Sequence, residues 1–129
     1  MCPGVVRWSG DAHSGGEPSW LSSAGLADCS LQKQHGRAQG KAACIRIPFG
    51  KGVCGTAAQS GETQLVEDVH AFPGHIACDA NSASELVVPV TRNGTVIAVI
   101  DLDSPTLNRF DAEDAKGVEL LARMIADRI

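Results

Sequence analysis

Three cysteines, Cys44, Cys54 and Cys78, fall within residues 41–79 of a 129-residue chain, each in a different local setting. A buried thiol is ordinarily a small hydrophobe, so a cysteine by itself says little. The surroundings say more. Cys78 lies in Pro73-Gly74-His75-Ile76-Ala77-Cys78-Asp79, an irregular run that brings a thiol to a loop. Cys54 follows Gly50-Lys51-Gly52 and precedes Gly55-Thr56-Ala57, a glycine-rich turn entering a short helix, where ionisation of the thiol is favoured. Cys44 sits in the alternating stretch Ala43-Cys44-Ile45-Arg46-Ile47, read as a strand that would hold its sulfur rigidly. Thiols so placed suit nucleophilic attack and disulfide exchange. Carboxylates supply the other half of a site: Glu85, Asp101 and Asp103 stand on two strand-like segments that a hairpin could bring together.

That hairpin is the strongest local signal. Glu85 to Val90 and Thr95 to Asp103 are strand-like, and Asn93-Gly94 between them is a preferred turn pair. A plain two-residue loop would set Glu85 opposite Leu102, with its carboxylate facing away from Asp101. A three-residue loop with a glycine bulge at Gly94 would set Glu85 opposite Asp101 and gather Glu85, Asp101 and Asp103 on one face. The second arrangement is the expected one. Crowded like charges would raise the pKa of one carboxyl, which could then donate a proton near neutral pH.

The remaining elements serve to hold these residues. A strand over 42–47, a helix over 53–60 stopped by Gly61, a strand at Gln64 to Val69 and a long loop from His70 to Asn81 precede the hairpin. After it comes a helix capped by Asp111, with Ala115, Val118, Leu121, Ala122, Ile125 and Ile129 as its buried stripe. Residues 1–37 hold neither the helical nor the strand period for long and read as irregular chain, with a helical turn at Trp20 to Leu26 and incidental thiols at Cys2 and Cys29. The chain divides into this divergent segment, 1–37, and one ordered domain, 38–129. The fold class is α/β in the α+β sense: an antiparallel sheet flanked by helices.

Composition limits the functions available. The net charge is −4 and no basic cluster tracks a phosphate backbone, so nucleic acid is not an expected partner. No apolar run reaches the roughly 18 residues that span a bilayer, and the N-terminus lacks the layout of a signal peptide. A cytoplasmic protein without membrane association is expected, in which five cysteines serve as catalytic or inert thiols. No metal is expected: His70, His75 and Cys78 in H-x4-H-x2-C lack the paired spacing of structural zinc sites. Gly50-Lys51-Gly52 lacks the pattern of a phosphate-binding loop, and no cofactor is called for.

Residues 38–129 resemble a GAF domain of the free methionine-(R)-sulfoxide reductase family. The runs that carry the resemblance are Gln39-Gly40-Lys41, Ala43-Cys44, Ile47 to Ala57, Phe72 to Asp79, Ser84 to Pro89 and Val99 to Ser104, with the three cysteines spaced by 10 and 24. What the resemblance implies is reduction of the free R-sulfoxide of methionine, with Cys78 attacking sulfur, Cys44 resolving the sulfenic acid as a disulfide, and Cys54 as a third redox thiol. Thioredoxin is the implied reductant. Glu85, Asp101 and Asp103 would bind substrate. The family carries a helix and two strands with an aromatic segment before the Gln-Gly-Lys run, and residues 1–37 show no such pattern. Loss of that helix would leave Val118, Leu121 and Ile125 partly exposed and favour instability or self-association, for instance as a homodimer. A non-catalytic GAF sensor and an inactive truncated form are the other readings.

Overall fold

The computed structural model describes residues 4–9, 38–39, 47, 49–76 and 80–128. Cys44, Cys78, the 42–46 part of the expected strand, Trp20 to Leu26 and Ile129 lie outside the described residues.

A five-stranded sheet carries the domain. Its strands are β1 (Gly4–Ser9), β2 (Ala38–Gln39), β3 (Gln64–Val66), β4 (Ser84–Arg92) and β5 (Thr95–Ser104), in spatial order β2-β1-β5-β4-β3. The antiparallel part is β3, β4 and β5, and β1 runs parallel to β5. Two helices pack on opposite faces of it: α1 (Gly52–Ser60) on one and α2 (Ala112–Ala126) on the other. β1 falls inside the segment read as mostly irregular. Its six residues sit between Pro3 and Gly10, too few to display a period, and it owes its pairing to a partner about ninety positions away.

Alternation along β4 and β5 assigns the two faces. Leu86, Val88, Val90, Ala98 and Ile100 point toward α2 and close on Phe110, Ala122, Ile125 and Ala126. Val87 and Val99 point the other way, onto Val53, Cys54 and Ala57 of α1 together with Val66 and Val69. Both strands are therefore covered on both sides, and read as nearly unbroken Val/Ile/Leu runs for that reason.

Helix ends follow their expected chemistry. Asp111 accepts from the backbone N–H groups of Glu113 (2.8 Å) and Asp114 (2.9 Å), and Asp114 reaches back to the Asp111 N–H (3.1 Å), a complete capping box. Of the expected stripe, Ala122 and Ile125 are buried, while Ala115, Val118 and Leu121 are half-buried against the same cluster. α1 stops at Gly61, whose left-handed backbone (φ 71°) returns its N–H to the Ala57 carbonyl at 2.9 Å. The strand expected over 64–69 ends earlier, at Val66. Asp68 accepts from the His70 N–H (2.9 Å) and caps a 3-10 turn at Val69–Ala71 instead, so a side-chain cap outcompetes further pairing.

The hairpin corrects the expected register while keeping its consequence. Arg92 pairs with Thr95, so the loop is the two-residue Asn93-Gly94 turn, with φ of 52° and 78° at its two residues. The irregularity lies further along: Thr91 pairs with Val96 but Val90 pairs with Ala98, leaving Ile97 as an extra residue on β5. Ile97 joins Ala98 in the cluster under α2. The result is Glu85 opposite Asp103 and Val87 opposite Asp101, not Glu85 opposite Asp101. Glu85, Asp101 and Asp103 nonetheless share the α1 face, because the bulge restores the parity that a two-residue loop alone would have lost.

Candidate active site

The site lies at the end of the sheet where β4 begins and β5 finishes, on the side covered by α1. Glu85 is the second residue of β4, and Asp101 and Asp103 are two apart near the end of β5. All three are buried, with exposures of 7, 3 and 4%. Carboxyl groups are seldom buried to this degree without a chemical partner or a function. Ser82, also buried, donates its hydroxyl hydrogen to Asp103 Oδ1 at 2.7 Å and fixes that side chain from the loop preceding β4.

Cys54 enters this acidic corner from α1. Its thiol donates toward Glu85 Oε1 at 3.9 Å across an element boundary. The donor atoms of Cys54, Glu85 and Asp101 lie within 4.8 Å of one another. The helix start is set by backbone rather than by a side-chain cap: Gly52 adopts φ 60°, and its N–H donates to the Gly74 carbonyl at 3.2 Å. A β-carbon at Gly52 would abut Ile76, so the 72–76 loop lies directly over the start of α1. Val69, fully buried, anchors the other end of that loop through its N–H to the Ala83 carbonyl (2.9 Å).

The ionisation expected of Cys54 is overturned. Burial is the largest influence on its thiol, followed by the nearby charges of Asp101 and Glu85, and together they push it well above its ordinary value. A position in the first turn of a helix does favour a thiolate, but desolvation and adjacent carboxylates outweigh it here. Cys54 is therefore a protonated thiol at neutral pH. His75, half-buried on the loop above, is shifted the other way: burial first and the neighbouring His70 second hold its imidazole below the usual range, with Asp103 partly opposing them. The two imidazoles meet edge to face, with centroids 6.3 Å apart.

Of the six residues singled out from sequence, the structure brings Cys54, Glu85, Asp101 and Asp103 together. Cys44 and Cys78 lie outside the described residues, although residues 72–76, which lead to Cys78, border this corner. Ser82 was missed. Its only sequence signal is a small polar residue just ahead of the Ser84-Glu85 strand start, too common a feature to single out.

A family model described as a GAF domain matches residues 11–129. The chain belongs to the GAF domain family. Among curated relatives, this GAF domain is 51% identical over 87 residues to the free methionine-R-sulfoxide reductase of Escherichia coli, covering 67% of the chain and 53% of the relative. It is 53% identical over 88 residues to the protein of the same name from Saccharomyces cerevisiae, covering 67% and 49%. Among solved structures, free methionine-R-sulfoxide reductase from Neisseria meningitidis in complex with its substrate superposes with a TM-score of 0.68 at 50% identity, covering 70% of this chain and 54% of that one. The GAF domain thus spans about half the length of these relatives. No helix among its described residues is long and apolar enough to cross a membrane.

Proposed function

We propose that this GAF domain reduces free L-methionine-(R)-S-oxide to L-methionine. The observation that carries the reading is the burial of Glu85, Asp101 and Asp103 on one face of the sheet, beside a thiol. A free amino acid differs from a peptide residue in carrying an ammonium, whose transfer out of water costs several kcal/mol unless anionic groups receive it. An acidic corner selects for that group. The similarity to proteins that bear the reductase name supports the choice of substrate.

In this mechanism Glu85, Asp101 and Asp103 receive the ammonium and fix the sulfoxide beneath the 72–76 loop. The Cys78 thiolate attacks the sulfoxide sulfur while the oxygen takes up a proton held within the site. The sulfur–oxygen bond breaks as the protonated oxygen leaves as water, a water then attacks the Cys78 sulfur and cleaves its bond to the substrate sulfur, and methionine departs as the thioether with Cys78 oxidised to the sulfenic acid. The Cys44 thiol then condenses with the sulfenic acid, releasing water and forming a disulfide. An external dithiol of the thioredoxin type reduces that disulfide by exchange and is itself oxidised. Cys54, protonated and buried among the acids, acts as a reserve redox thiol that becomes reactive only when the corner opens.

The test is conversion of free methionine sulfoxide by the reduced chain, with methionine measured directly and NADPH oxidation followed through thioredoxin and its reductase. The R epimer should be consumed and the S epimer and peptide-bound sulfoxide left. Cys78→Ser should abolish turnover while retaining calorimetrically measured substrate binding, and Cys44→Ser should stop after one turnover per chain. Folded protein that binds the R-sulfoxide and forms no methionine would replace this reading with that of a ligand-binding module.

A further inference from the structure

Receiving an ammonium calls for the carboxylates alone, yet the Cys54 sulfur joins Glu85 and Asp101 in one buried donor set. We propose that this corner, in the reduced protein without substrate, binds a thiophilic divalent cation of the zinc class through the Cys54 sulfur and one carboxylate oxygen each from Glu85 and Asp101. The consequence for catalysis rests on the reductase reading: the cation takes the position given to the substrate ammonium and inhibits competitively. The cation site itself does not depend on it.

Geometry and donor chemistry agree. Zinc bonds to thiolate at about 2.3 Å and to carboxylate oxygen at about 2.0–2.2 Å, so a sulfur and an oxygen on one ion stand no more than about 4.5 Å apart. Cys54 Sγ and Glu85 Oε1 are separated by 3.9 Å, inside that limit. Asp101 completes a set whose donor atoms all lie within 4.8 Å, leaving only a small rotation to close the triangle. Surface carboxylate clusters bind cations weakly because water competes for every oxygen. These three residues are 4, 7 and 3% exposed and come from α1, β4 and β5, which are packed against one another. One sulfur with two oxygens favours zinc or cadmium over magnesium or calcium, which prefer oxygen alone. Three protein donors also leave a coordination position for water.

The set differs from the His70, His75 and Cys78 triplet considered from sequence. Its spacing in the chain, 54, 85 and 101, matches no metal motif, because the three residues meet only when the hairpin register is set. Binding is redox-neutral: the cation forms a bond to the Cys54 sulfur, and the thiol proton is released to solvent.

A direct readout avoids turnover. In a full-length chain with Cys2, Cys29, Cys44 and Cys78 changed to Ser, reduced, metal-free and folded by circular dichroism, Cys54 is the sole thiol. Titration with cadmium chloride should raise an ultraviolet thiolate-to-cadmium absorption that saturates at one equivalent and is displaced by zinc. Cys54→Ser on that background should abolish it, and Glu85→Gln should weaken the affinity more than about tenfold. Absorption no stronger than in the thiol-free chain, or unchanged affinity in Glu85→Gln, would overturn the proposal. Should the sole-thiol chain fail to fold, thermal unfolding of the natural chain decides. Zinc should raise its melting temperature, and a rise of equal size in Cys54→Ala and Glu85→Gln would refute the site. Sulfoxide reduction without cadmium binding leaves the reductase reading intact, whereas cadmium binding without sulfoxide reduction leaves the cation site intact.

Discussion

Ser82→Ala removes one hydroxyl and tests whether the acidic corner is held in place or merely adjacent. The Ser82 hydroxyl donates to Asp103 Oδ1 at 2.7 Å, and the two residues are only 5 and 4% exposed, so water cannot readily replace the lost donor. Hydrogen bonds to charged groups contribute about 1.5–3 kcal/mol net. At about 2.1 cal/mol/K per residue, a chain of 129 residues has an unfolding entropy of roughly 270 cal/mol/K. The expected fall in melting temperature is therefore about 6–11 °C. Thermal unfolding followed by far-ultraviolet circular dichroism measures it. Asp103→Asn and the double variant complete a cycle whose coupling energy isolates the pair from any general loss of packing. In the sulfoxide assay Ser82→Ala should raise KM more than it lowers kcat, because the carboxylate is released rather than removed. A melting temperature within about 2 °C of the parent, or strictly additive losses in the cycle, would refute the claim that Ser82 fixes Asp103.

Three further outcomes follow from the same structure. Because the Cys54 thiol is pushed well above its ordinary 9.0 in the folded state, its contribution to stability is complete below that value and is lost as pH rises toward the folded pKa. Urea denaturation from pH 7 to 10.5 should therefore show stability falling more steeply above about pH 9 in the parent than in Cys54→Ala; identical slopes would contradict the buried neutral thiol. His75, held below 6.5, has the opposite sign: its contribution is complete above that value and is lost as pH falls through the depressed folded pKa, so His75→Gln should flatten the acid limb of the stability profile. Asp111→Ala removes the side-chain acceptor of the Glu113 and Asp114 N–H groups at the start of α2 and should cost about 1 kcal/mol, or about 4 °C in melting temperature, without altering sulfoxide turnover.

Much of this site could be read before the fold was known, and the reason is chemical locality. Asn93-Gly94 announces its own turn, Asp111 its own helix, and Gly61 its own stop, because each acts on backbone within four positions. Glu85, Asp101 and Asp103 could be grouped because a hairpin is the shortest-range sheet contact. Their pairing was misjudged because the bulge sits at Ile97, three positions beyond Gly94, where packing under α2 rather than turn chemistry decides. The Cys54 ionisation was misjudged for a related reason. A helix start is visible in the sequence, but carboxylates 31 and 47 positions away are not neighbours until the sheet forms. β1 gave no signal because its partner is supplied from the far end of the chain.

The bulge on β5 has a bearing on how this chain tolerates changes in length. Val90 already faces Ala98, so excising Ile97 would leave an uninterrupted ladder with every later partner unchanged. The acids would stay beneath α1, and the loss would be confined to one aliphatic side chain on the opposite layer. An excision two positions past Ile97, at Val99, would instead, with the bulge kept, carry Asp101 and Asp103 through the sheet to the oily side. Two deletions two positions apart would thus separate a weakened but competent molecule from one with no acidic corner at all.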